Sequence, residues 1–214
     1  MRYLIVCGGK IDKEFGLNEI KTDGIDAIIA ADSGMDFLYE NGVTPDIIVG
    51  DFDSTTTNAL EYFERKGQTE IRKLNPIKDD TDTEYAIRLA ISEGARSIVV
   101  LGATGSRIDH VLGNISLLGI GLESGTDIRI IDTNNRIRMA DKPVTIEKSA
   151  QYGRFVSLIA VTDDNEVSLR GFKYPVTDYS FDRFTSLGIS NEIVDDQAVV
   201  DIHRGKFIII ESKD

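Results

Sequence analysis

Residues 46–54 read "DIIVGDFDS". Ile47, Ile48 and Val49 have the continuous apolar character of a strand buried on both faces, and Gly50 lets the chain turn at its end. Asp51 and Asp53 then follow, with only Phe52 between them. Two unit charges ~4 Å apart repel by roughly 4 kcal/mol at an effective dielectric of 20, so paired carboxylates at a buried strand's end need a physical reason.

The same strand character recurs on both sides of this stretch. "RYLIVCG" (2–8), "IDAIIAAD" (25–32), "SIVVLGA" (97–103) and "DIRIID" (127–132) are strands, with a shorter one near "EIRKL". Between them lie helical patterns at 33–42, 57–67, 81–94 and 108–122. The third opens with Thr81 and Glu84 in S/T-x-x-E capping spacing, and the second ends at Gly67. Alternating strands and helices with nearly continuous apolar strands predict a parallel sheet covered by helices on both faces. After "DTNNR" (132–136) the pattern changes to short strands separated by Gly, Asp and Asn turns: "VTIEKS", "RFVSLIAVT", "EVSLRGF", "AVVDIH" and "KFIIIES". "HRGK" (203–206) reads as a hairpin connection. The expected organisation is an α/β domain over 1–133 and an antiparallel β-sandwich or partial barrel over 134–214.

The totals set limits on function. The chain has 214 residues, 41% of them hydrophobic and only 4 of them proline, which is enough for a real core and argues against long disordered tracts. A net charge of −12 disfavours general attraction to nucleic acid or an anionic membrane, and no apolar run approaches the ~20 residues of a membrane span. The N-terminal apolar run is too brief for a secretory signal, and the lone Cys7 cannot form an internal disulfide; a reducing cytoplasm fits both.

In an open parallel sheet, ligands bind beyond the carboxyl ends of the strands, and the polar groups collect there. Asp32 and Ser33 follow the second strand, Asp51 and Asp53 the third, "KDDTD" (78–82) the fourth, and "GATGSRIDH" (102–110) the fifth. Helix capping is the plain alternative for any one aspartate, but it does not account for five or six at neighbouring strand ends. Hard oxygen ligands without a Cys or His cluster suit Mg²⁺, and His110 and His203 are isolated. In "GATGSRIDH", Gly102 and Gly105 free the backbone, the following helix start offers N–H groups, and Arg107 supplies a planar cation for phosphate oxygens. Pairing of Arg107 with Asp109 is the structural alternative. No Walker A sequence and no G-x-G-x-x-G occurs. Mg²⁺–nucleotide chemistry of the phosphoryl-transfer type is therefore expected, with the acceptor unspecified.

The segments "ADSGMDFLYENGVTPDIIVGDFDS", "KDDTDTEYAI", "GATGSRIDHVLGNISLL", "GFKYPV" and "LGISNE", in this order, closely resemble the bacterial thiamine pyrophosphokinase (thiamine diphosphokinase) family. The resemblance covers nearly the whole chain. It implies an ATP-binding α/β domain followed by a thiamine-binding β-sandwich, in a homodimer with active sites at the subunit interface. The implied reaction moves the pyrophosphoryl group of ATP to the hydroxyl of thiamine, giving thiamine diphosphate and AMP. On the matching positions, Asp51, Asp53 and Asp82 are the implied Mg²⁺ and catalytic carboxylates, joined in catalysis by Arg107. Asp32, Gly102, Thr104, Gly105, Arg107, Asp109 and His110 are the implied ATP contacts. Asp79, Thr81, Ser190 and Asn191 are the implied thiamine contacts, the last two from the segment that reaches the partner subunit's pocket. Some family members place a tryptophan near that pocket, and this chain has none. The rival readings are a pyrophosphokinase acting on a hydroxymethylpterin and a non-catalytic nucleotide-binding module.

Overall fold

The computed structural model describes residues 1–52, 58–75 and 80–214, and the chain divides into two compact units, Met1–Thr133 and Asn134–Asp214. The first unit alternates strands and helices: β1 (Arg2–Val6), α1 (Lys13–Ile20), β2 (Ala27–Ala31), α2 (Gly34–Glu40), β3 (Ile47–Gly50), α3 (Ala59–Lys66), β4 (Glu70–Lys73), α4 (Asp82–Ser92), β5 (Ser97–Leu101), α5 (Ile108–Ser124) and β6 (Asp127–Ile131). Its strands lie in the order β6-β5-β1-β2-β3-β4, and every pairing among them is parallel. The sheet is apolar on both faces because both are covered. Leu4, Val6, Ala30, Ile48, Val99 and Leu101 cluster with Met35, Leu38 and Phe63 from α2 and α3 and with Phe15 of α1. The alternate residues Ile5, Ile29 and Val49 point the other way, where α4 packs on β1, β2 and β3.

The strand order also sets where a ligand can bind. From β1 the chain steps outward through β2, β3 and β4, then returns to the other side of β1 to lay down β5 and β6. The connections after β1 and β5 therefore diverge, which opens a crevice at the carboxyl ends of those two strands. Helix α1 went unread in the sequence. Lys13–Ile20 has little amphipathic contrast, and the helix is started by Asp12, whose carboxylate accepts a hydrogen bond from the Phe15 N–H at 2.9 Å.

The second unit contains β7 (Asn135–Ala140), β8 (Val144–Glu147), β9 (Phe155–Ala160), β10 (Glu166–Arg170), β11 (Val176–Ser180), β12 (Asn191–Glu192), β13 (Gln197–Arg204) and β14 (Phe207–Ser212). They form two four-strand antiparallel layers, β12-β9-β14-β7 and β11-β10-β13-β8. Val156, Leu158, Phe207 and Ile209 of one layer pack against Val167, Leu169, Val200 and Ile202 of the other, which makes the unit a sandwich. The "HRGK" turn departs from the sequence expectation. It does not close a hairpin: β13 pairs with β10 and β8, whereas β14 pairs with β7 and β9, so the turn carries the chain from one layer to the other. Gly205, at φ 86°, serves this turn as well as it would serve a hairpin.

A carboxylate-rimmed cleft at the strand ends

The crevice beyond β1 and β5 is a cleft of about 650 Å³. It is lined by Cys7, Gly8 and Gly9 after β1, by Ala31 at the end of β2 with Asp32 and Ser33 just past it, by Thr81–Glu84 at the start of α4, and by Gly102, Ala103 and Gly105–Arg107 of the β5–α5 connection. Helix α5 adds Asp109, His110, Gly113, Asn114 and Leu117 along one face.

Asp32, Asp51 and Asp82 converge at this end of the sheet. One carboxylate oxygen from each lies within 4.8 Å of the other two, and all three side chains are half-buried. They come from the ends of β2 and β3 and the first turn of α4, so no spacing along the chain announces the group. The backbone is unusual where it aims them. Asp32 has φ 49° and Phe52, next to Asp51, has φ 66°, a region that non-glycine residues occupy at a cost of order 1 kcal/mol. The Asp32 N–H donates to the Val49 carbonyl at 2.7 Å, which ties the β2 end to β3. Gly50 eases the close approach of β2 and β3 here, because a Cβ there would lie a tight 3.1 Å from the Asp32 Cα. Asp82 sits at the amino end of α4, where the helix dipole favours its charge. Thr81 caps that helix by accepting from the Glu84 N–H at 3.2 Å. The capping box is half-formed, since the Glu84 carboxylate turns to Arg88 at 2.7 Å.

The β5–α5 connection is held at three successive residues. Gly102 has φ 68° and leaves no room for a Cβ beside the Cys7 carbonyl, and its own carbonyl accepts from the Gly9 N–H at 2.9 Å. The Ala103 carbonyl accepts from Asn114 Nδ2 at 2.8 Å. Thr104 Oγ1 donates to Asp132 Oδ2 at 2.7 Å. Beyond Thr104, residues Gly105–His110 are exposed. Arg107 reaches Asp109 through two parallel hydrogen bonds, Nε to Oδ1 at 3.2 Å and Nη2 to Oδ2 at 2.6 Å. These bonds, with a further one from the His110 N–H, hold the Asp109 carboxyl down at about 2. Cys7 is inert by contrast: burial pushes its thiol up to about 11, and its sulfur accepts from the Thr83 hydroxyl.

Of the residues singled out in the sequence, Asp32, Thr81, Asp82, Gly102, Gly105, Arg107, Asp109 and His110 line the cleft together, and Asp51 joins the carboxylate group. Asp53 and Asp79 lie outside the described residues. The Thr104 side chain does not line the cleft; its hydroxyl is engaged by Asp132. Asn114 and Asp132 were not read from the sequence. The signal for Asn114 was available, because Arg107, His110, Asn114 and Leu117 follow helical spacing. In the second unit Ser190 is exposed at φ 60°, with its N–H donating to Ser157 Oγ at 3.0 Å. Asn191 is buried there, and both ends of its amide bond to the Tyr174 backbone, at 3.1 and 2.9 Å.

Comparison with known proteins finds two family models along the chain. A family model described as "Thiamin pyrophosphokinase, catalytic domain" matches residues 21–130, and one described as "Thiamin pyrophosphokinase, vitamin B1 binding domain" matches residues 143–207. The chain is 35% identical over 188 residues to the thiamine pyrophosphokinase of Bacillus subtilis, covering 87% of each chain. The crystal structure of thiamine pyrophosphokinase from Bacillus subtilis superposes with a TM-score of 0.89 at 32% identity, covering all of both chains. That of Geobacillus thermodenitrificans thiamin pyrophosphokinase does so at 0.87 and 30%, covering 100% of this chain and 98% of the other. The chain belongs to the thiamin pyrophosphokinase family.

Proposed function

We propose that the strand-end cleft is where ATP is held while its pyrophosphoryl group passes to the hydroxyl of thiamine. The activity is that of the family, a thiamine pyrophosphokinase yielding thiamine diphosphate and AMP. The observation that carries the site assignment is the meeting of Asp32, Asp51 and Asp82 in the same crevice as the Arg107 loop. Their oxygen donors fit a hard divalent cation such as Mg²⁺, with Asp53 expected to join them. When bound, that ion would offset the mutual repulsion of the carboxylates and the charge of the substrate phosphates.

The remaining work falls to this chain's own groups. Arg107 offers a planar fork that matches two phosphate oxygens, and Asp109 holds that fork in place until a phosphate competes for it. Gly105 and Ser106 bring backbone close to the nucleotide, and the first turn of α5 presents its amino end to negative charge. With ATP so fixed, the thiamine hydroxyl oxygen bonds to the β-phosphorus, the bond from that phosphorus to the α–β bridging oxygen breaks, and AMP leaves. The hydroxyl proton passes to solvent in the same exchange. Catalysis of this kind rests on positioning and charge stabilisation.

The thiamine side of the reading assigns Asp79, Thr81 and Ser190 to the vitamin. Asn191 serves it indirectly, by shaping the Tyr174–Ser190 region with an amide already committed to Tyr174. Ser190 belongs to a partner subunit's contribution in this reading, so the working unit is a homodimer. Its hydrodynamic mass should be twice the 23.6 kDa of the chain. Cys7, the single cysteine, and the demand for ATP suit a cytoplasmic setting. The test is product identification from purified protein with ATP, Mg²⁺ and either thiamine or a hydroxymethylpterin. AMP and thiamine diphosphate are expected. ADP in place of AMP overturns pyrophosphoryl transfer, and AMP formed with the pterin alone overturns the acceptor.

A further inference from the structure

We infer that Thr104 and Asp132 form a positioning pair that sets the Arg107 loop for ATP without touching the nucleotide. Resting on the reading of the cleft as the ATP site, the inference concerns two residues outside its lining.

Three consecutive residues after β5 are each tied to a different element. Gly102 is tied to the β1 connection, Ala103 to α5 through Asn114, and Thr104 to Asp132 just past the end of β6. Thr104 is therefore the last anchored residue before the exposed run that carries Gly105, Ser106 and Arg107. The tie crosses between neighbouring strands of the sheet, since Val100 of β5 pairs with Ile130 of β6. Both side chains are half-buried, where a hydrogen bond to a carboxylate is stronger than one between neutral groups.

Donor bookkeeping argues against a direct phosphate contact by the Thr104 hydroxyl. A threonine hydroxyl has one hydrogen, and here it points at Asp132 Oδ2. A phosphate oxygen at neutral pH needs a donor, so Thr104 cannot serve phosphate while it serves Asp132. A carboxylate placed this close to an anion site would also be unfavourable as a direct contact. Its use is to orient the peptide that leads into the loop.

The experiment is steady-state kinetics with ATP varied at saturating thiamine, together with denaturation midpoints. Thr104→Val is expected to raise KM for ATP about tenfold with kcat changed by less than about threefold, the size of losing one charge-assisted hydrogen bond. Thr104→Ser should behave as wild type, and Asp132→Asn, which keeps an acceptor, should stay within about threefold of it. Asp132→Ala should raise KM for ATP at least as much as Thr104→Val, and the double variant should be no worse than Asp132→Ala alone, because the shared bond is lost only once. An unchanged KM in Thr104→Val, an equal loss in Thr104→Ser, or additive effects in the double variant would each overturn the pair. Arg107→Ala separates the two levels of inference. If it leaves KM for ATP unchanged, the ATP-site reading itself fails; if it raises KM while Thr104→Val does not, only the positioning pair fails.

Discussion

Two arginine–carboxylate pairs in this molecule have almost the same geometry and opposite surroundings. Arg107 grips Asp109 through Nε and Nη2, the shorter bond being 2.6 Å. Arg136 grips Glu211 through the same two atoms, again with a shortest bond of 2.6 Å. The first pair is 69% and 65% exposed, while the second is 19% and 1% exposed. Glu211 is further bound by Arg138 at 3.1 Å and by the Tyr152 N–H at 3.0 Å. Distance alone therefore says little about role. The exposed pair can be opened at small cost, as the phosphate-binding role proposed for Arg107 requires, whereas the buried pair cannot be opened without leaving charge stranded between strands.

The largest expected effect lies in the buried pair. Glu211→Gln should lower unfolding free energy by about 3 kcal/mol in urea denaturation, because two arginines lose their counter-charge. It should leave KM for ATP unchanged. Burial alone would raise the Glu211 carboxyl, but its hydrogen bonds to Arg136 and the Tyr152 N–H outweigh this and hold it below the usual range. The contribution is therefore complete above the unfolded-state value of ~4.3 and is lost as pH falls through the lower folded value. The gap between wild type and variant should close below that pH. A gap that persisted undiminished there would mean that packing, not charge, holds the network.

Next comes the carboxylate group of the cleft. Asp82→Asn should cut kcat by about a hundredfold or more if, as proposed, its carboxylate helps to hold the cation that stabilises charge in the transition state. Its denaturation midpoint should move little, since removing one of three mutually repelling carboxylates relieves the folded state. A variant that turned over normally at limiting Mg²⁺ would remove Asp82 from the metal-binding assignment. Loss of activity and retention of stability here, set against the reverse for Glu211→Gln, would separate the two regions experimentally.

The contrast also explains what was legible in the sequence. The parallel sheet was readable because β1, β2, β3, β5 and β6 are short apolar runs, each with its own local signal. The carboxylates were readable as a strand-end group but not in its membership: that Asp32 meets Asp51 and Asp82 follows from the strand order, which brings β2, β3 and the start of α4 side by side. Strand β7 went unread because Arg136 and Arg138 interrupt its apolar pattern. Their burial makes sense only with Glu211, which lies 75 residues from Arg136 in sequence but opposite it in the sheet. Strand β11 hid for the same reason, with Thr177, Asp178 and Tyr179 exposed along it. "HRGK" was misread because turn chemistry is local, while the choice of sheet for the next strand is made by distant partners.

Arg107→Ala should produce a smaller effect, raising KM for ATP about tenfold through loss of the bidentate phosphate contact proposed for it. Its denaturation midpoint should match wild type, because an exposed pair two residues apart crosses no packing boundary. A loss of stability comparable to that of Glu211→Gln would erase the distinction drawn between the two pairs.

The smallest effect is expected for Asp109→Asn. Arg107 and the His110 N–H hold the Asp109 carboxyl near about 2, so it is ionised and paired throughout any practical assay range. A lowered carboxyl favours the folded state above the unfolded-state value of ~3.9, and that contribution fades as pH falls toward the folded value. At an exposed site, however, solvent and salt screen nearly all of it. The expected result is an unchanged denaturation midpoint from neutral pH down to about pH 4, the ordinary carboxylate range. A clear drop in stability would show that the pair is structural, and Arg107 would then be less able to leave Asp109 for a phosphate.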